Sequence, residues 1–123
     1  MNKEIILQEL ESMIRTLDFI QEEQSFIKRK LSSLLDQYVM IDVVAWAEEL
    51  HQEILNREAA IQLLMGDTIS LRNQMRAKSS INNLNESSKV TLFKKYKQQV
   101  GYIEAEFYKW KSAANEKFDT AVN

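Results

Sequence analysis

Residues 3–37, 42–79 and 86–121 each repeat apolar side chains at alternating spacings of three and four, and the three segments have nearly equal length. That spacing averages 3.5 residues, which keeps one stripe of an α-helix facing its neighbours from end to end and implies a gentle left-handed supercoil. Helices of matched length joined by short connections pack side by side. The pattern therefore predicts an all-α, antiparallel, up-down-up three-helix bundle, forming one domain over residues 1–123. At 1.5 Å per residue each helix should run about 50 Å.

The punctuation residues agree with long helices. Pro is absent and Gly occurs only at positions 66 and 101, so nothing stops a helix by removing a backbone donor. Cys is absent as well, which excludes disulfides and thiolate metal sites and is compatible with a reducing compartment. The start, Met1-Asn2-Lys3-Glu4, lacks the basic and apolar regions of a leader, and no apolar run is long enough to span a bilayer. A cytoplasmic protein with no membrane contact is expected.

The first seam reads Ile6, Leu10, Met13, Leu17, Ile20, Gln24, Ile27, Leu31, Leu34 and Tyr38, with Leu7, Ile14 and Leu35 widening it on one flank. A helix that touches two neighbours needs this wider face, whereas a two-stranded coil does not. The second seam is Val43, Ala47, Leu50, Ile54, Arg57, Ile61, Leu64, Thr68, Leu71 and Met75, entered from Asp42 as the expected N-cap. It runs in phase through Gly66-Asp67. One continuous helix is expected, with a kink, or a break that releases a short fourth helix capped by Asp67 or Thr68, as the alternative. The third seam is Phe93, Tyr96, Val100, Ile103, Phe107, Trp110, Ala114, Lys117 and Ala121, with Phe118 taking over from Lys117. Between the second and third seams, residues 79–88 concentrate Ser and Asn, whose side chains compete for backbone hydrogen bonds, and Asn83, Asn85 and Ser87 are alternative caps for the third helix.

Turns centred near residues 40 and 83 set the register. Residue i of the first helix then faces roughly residue 80 minus i of the second, so Gln24 and Arg57, the two polar interruptions, fall at one level, with Glu106 and Trp110 from the third helix beside them. A central polar layer of Gln24, Arg57 and Glu106 is expected, Arg57 meeting Glu106 or Glu104 and lying partly along the surface. Polar groups at seam positions fix register at a cost in stability.

Catalytic arrangements are thin. Glu48 and His51 have the Glu-x-x-His spacing of carboxylate-bridged di-metal bundles, but the seam puts them on different faces and His51 is the only histidine. A metal-binding or phosphotransfer bundle using His51 is the weakest of the alternatives. No glycine-rich phosphate loop and no nucleophile elbow occur, and adjacent acids such as Glu22-Glu23 diverge by 100 degrees on a helix. Neither an enzyme nor a cofactor, metal ion or small-molecule substrate is expected.

Charge is segregated behind a net of −2. Residues 1–67 carry 6 basic and 13 acidic side chains, while residues 68–100 carry Arg72, Arg76, Lys78, Lys89, Lys94, Lys95 and Lys97 against Glu86 alone. In the bundle these cations gather at one end, together with Glu4, Glu9 and Glu11 of the first helix. The expected reading is internal compensation. The alternative is a basic patch for nucleic acid or an acidic partner, which the seam positions of Phe93 and Tyr96 and a pI of about 5.5 disfavour.

The seam does not explain Phe19 and Phe26. Seven residues apart, they share a flank with Ser12 and Ser33, so either the bundle wraps over them or they form an apolar stripe for another chain. Tyr102 and Tyr108, and Leu55, Leu63 and Ile69, lie off their seams in the same manner. The expected function is therefore non-catalytic: a helical-bundle protein acting by protein–protein contact through Phe19, Phe26, Tyr102 and Tyr108, as a homodimer or in an adaptor or chaperone-like role. Matched three-helix bundles occur in spectrin-like repeats, adaptor domains and small secretion chaperones, but no motif in this chain carries a family resemblance.

Overall fold

The computed structural model describes residues 2–37, 40–77 and 85–122. They form three helices, α1 (Lys3–Gln37), α2 (Ile41–Arg76) and α3 (Glu86–Val122), each packed against the other two. The chain is an all-α three-helix bundle, as the periodicity predicts. Among the described residues no helix is long and apolar enough to cross a membrane.

Each seam closes on the others. From Ile6 to Leu34 every seam residue of α1 is buried, and so is every seam residue of α2 from Val43 to Met75 except half-buried Arg57. In α3 Phe93, Val100, Phe107, Trp110 and Ala114 are buried, Tyr96 and Ile103 are half-buried, and Phe118 replaces exposed Lys117. Phe118 then meets Trp46 of α2 edge-on, 5.7 Å between ring centroids, and closes that end of the core. Tyr38 lies outside the described residues, as does the side chain of Ala121.

The helix directions agree with the turn arithmetic, although the residue numbers of the α1–α2 ion pairs sum to 83–87 and not to 80. Glu11 near the start of α1 pairs with Arg72 and Arg76 near the end of α2, while Lys28 further along α1 pairs with Glu58, so α1 and α2 are antiparallel. Between α1 and α3 the pairs Glu9–Lys97 and Glu23–Lys111 share one offset of 88 residues, and a constant offset means parallel helices in a fixed register.

Helix ends depart from expectation in two places, both on α2. The N-cap of α2 is Met40 with no side-chain hydrogen bond, not Asp42, because the helix begins one residue earlier at Ile41. Its C-cap is Ala77, in an extended conformation, so the helix is shorter than 42–79. Gly66 behaves as the seam predicts: α2 passes through it unbroken, and no fourth helix begins there. Thr68 is not a cap but a fully buried seam residue whose Oγ1 donates to the Leu64 carbonyl at 2.7 Å, satisfying the hydroxyl inside the continuous helix. For α3, the cap among the three candidates is Asn85, whose Oδ1 accepts from the Ser88 amide at 2.7 Å. Asn2 does the same for α1, accepting from Glu4 at 2.7 Å. The connection at residues 78–84 lies outside the described residues.

Candidate functional site

At mid-bundle the polar residues divide between two interfaces. Gln24 is completely buried; its Nε2 donates to Gln21 Oε1 at 3.3 Å, and Gln21 Nε2 reaches the Glu58 carbonyl of α2 at 3.3 Å. Gln24 Oε1 has no hydrogen-bond partner among the described residues, which leaves a desolvated acceptor in the core. Arg57 turns the other way, toward α3. Instead of an ion pair with Glu106 or Glu104, its guanidinium lies 5.3 Å from the centroid of the Trp110 ring, whose Nε1 donates to Glu53 at 2.8 Å. Glu106 pairs with Lys109 at 3.9 Å across one helical turn. Glu106 borders the same open groove between α2 and α3 as Arg57, but the guanidinium lies over the indole instead of crossing that groove. Glu53 is the member of this group that the seam missed, since it lies off the stripe; its signal was its position four residues before Arg57, one turn along the same flank.

The basic end is partly neutralised from within, three of its cations meeting two carboxylates. Arg72 lies 3.5 Å from Glu11, Arg76 also pairs with Glu11, and Lys97 pairs with Glu9 at 2.8 Å. Lys89 is not part of a surface patch: it is buried in the first turn of α3, at the seam position preceding Phe93, and its ammonium reaches Glu86 at 3.4 Å. Lys78 lies outside the described residues. Lys94 and Lys95 are exposed on α3. Beside this end Tyr96 has its phenol pushed above the ordinary value of 10.0, chiefly by burial and further by the negative charge of Asp67.

His51 and Glu48 are both exposed. Among the described residues no group of three or more His, Cys, Asp or Glu side chains is placed to hold a metal ion.

The off-seam aromatics fall on two different faces. Phe19 is 47% exposed and Phe26 51%, both on the flank of α1 nearest α3. Phe26 lies with Lys30, Ser33 and Phe118 along an open groove between α1 and α3, where the Lys30 ammonium sits 5.8 Å from the Phe26 ring and 4.9 Å from Phe118. The offset of 88 residues sets Phe19 level with Phe107 and exposed Tyr108. Tyr102 is separate: with exposed Leu63 it flanks a groove between α2 and α3 whose other walls include Asp67, Lys95 and Gln98. Leu55 is exposed on α2 and Ile69 is half-buried. The Phe stripe and the Tyr102 groove are thus separate surfaces, and Tyr108 is exposed at about the level of Phe19. Comparisons with protein-family models, with curated proteins and with solved structures gave no significant match for this chain.

Proposed function

We propose that this chain is a non-catalytic helical bundle that works through protein–protein contact, using the outer face of α1 as a coiled-coil-like seam. The observation that carries the reading is the pair Phe19 and Phe26, two phenylalanines one heptad apart that each leave about half their surface in water. Removing apolar area from water is worth roughly 25 cal/mol per Å², and aromatic rings with a polar rim are the usual anchors of protein interfaces. Self-association, an adaptor role and a chaperone-like role all use such a face.

A photo-crosslinking residue in place of Phe19 or Phe26, introduced in living cells, tests it. Covalent protein adducts at both positions, and none from the exposed control position Gln62 on α2, are the expected result. If positions 19 and 26 give no more adduct than position 62, the reading is wrong.

A further inference from the structure

The outer face of α1 carries more than its phenylalanines. Every seventh residue along it, from Ile5 through Ser12, Phe19 and Phe26 to Ser33, forms one line, in which Ile5, like the two Phe rings, is about half exposed. Beside that line a second heptad line reads Arg15, Glu22, Arg29 and Asp36, of which Arg29 also borders the groove to α3. All four are exposed, and among the described residues none of them forms an ion pair. By contrast Glu9 and Glu23, on the α3 side of the same line, are each paired with a lysine of α3.

The alternation of sign decides what fits there. A second α1 laid parallel about a two-fold would set this line against the opposite flank, Glu9, Thr16, Glu23 and Lys30, whose two acids are already paired with lysines of α3, so its own charges would not meet. Laid antiparallel, with a two-fold axis between residues 25 and 26, it sets Arg15 against Asp36 and Glu22 against Arg29, and the symmetry repeats each pair. In the same register Phe26 meets its own copy and Phe19 packs over Ser33, a large side chain against a small one. Charges flanking an apolar seam select partner and orientation in this way, and a patch complementary to itself under a two-fold is what an isologous dimer requires. We infer that the occupant of this face is a second copy of the chain, bound antiparallel through α1. This rests on the protein-contact reading above and adds to it the identity, direction and register of the partner.

The purified chain at low salt should therefore have twice its 14.4 kDa mass by light scattering. Glu22→Arg should shift it to monomer without changing its helical content, and Glu22→Arg combined with Arg29→Glu should restore the dimer. Because the chain has no cysteine, Ser33→Cys and Ser12→Cys accept spin labels cleanly. The rise of 1.5 Å per residue then sets label separations of about 25 Å at position 33 and about 40 Å at position 12. A monomeric purified chain, a dimer indifferent to Glu22→Arg, a double variant that stays monomeric, or equal distances at the two positions would each overturn the inference. A monomer that still gives adducts to a different protein at positions 19 and 26 in cells refutes the dimer while leaving protein contact standing.

Discussion

The guanidinium of Arg57 lies over the indole of Trp110, 5.3 Å from the ring centroid, so the one cation in the α2 seam is accommodated by an aromatic face of α3. Half-buried cation–π contacts of this kind are worth on the order of 0.5–1 kcal/mol, and the methylene stem adds packing of its own. A double-mutant cycle with Arg57→Met and Trp110→Leu should return a coupling energy of that size by urea denaturation. A coupling of zero would mean that the two side chains merely lie near one another.

Gln24 presents the opposite balance. Its amide is wholly buried and its Oε1 unsatisfied among the described residues, and such a desolvated acceptor costs about 1–3 kcal/mol. Gln24→Leu should accordingly raise the melting temperature. If it lowers stability instead, the amide contributes more through Gln21 than it costs in desolvation.

Gly66 tests the continuity of α2. It is exposed, its backbone is helical, and a methyl group there meets no atom within 4 Å. Gly66→Ala should stabilise the protein by about 0.5–1 kcal/mol through helix propensity and a less flexible unfolded chain. Thermal melts followed by circular dichroism would show a rise of a few degrees; a fall would indicate that α2 needs a hinge at this point.

Tyr96 makes a prediction about alkaline pH. Its phenol titrates above 10.0 in the folded protein, because burial and then the Asp67 carboxylate disfavour the phenolate. A value raised by folding means that the folded state holds the proton more tightly than the unfolded state does. The associated stability is therefore complete below pH 10 and is lost as pH rises from there through the folded value. Absorbance titration of the phenolate should place Tyr96 lower in Asp67→Asn than in the parent, and Tyr96→Phe should flatten this part of the alkaline decline in melting temperature. No movement of the titration in Asp67→Asn would remove the carboxylate as a cause.

The ion pairs at the basic end should matter less to stability than to surface charge. Exposed pairs contribute about 0–1 kcal/mol, so Glu9→Gln with Glu11→Gln should change stability by no more than about that per pair. The same change uncovers Arg72, Arg76 and Lys97 and should increase retention on a polyanionic resin in a salt-dependent manner. Unchanged retention would mean that these carboxylates do not mask the cations.

Much of this protein was legible in its periodicity. The heptad seams are buried from Ile6 to Leu34 in α1 and from Val43 to Met75 in α2 apart from half-buried Arg57, and turns near residues 40 and 83 place Gln24, Arg57 and Trp110 at one level, because helix geometry converts residue number directly into height. Height does not fix the direction in which a long side chain points. The choice of Trp110 over Glu106 as the partner of Arg57, the hydrogen bond to Glu53 and the burial of Lys89 all follow from how the space between three helices is filled, and packing shape is a property of all three together. Exposure belongs to the same class. The seam leaves Phe19 and Phe26 unexplained, yet only the positions of α2 and α3 decided that about half of each ring stays exposed. The tertiary structure likewise separated Tyr102 from the Phe stripe, and it showed which charges α3 neutralises and which it leaves on the open face of α1. A sequence repeat determines which residues share a line; only the neighbours packed against a helix determine which of its lines face water.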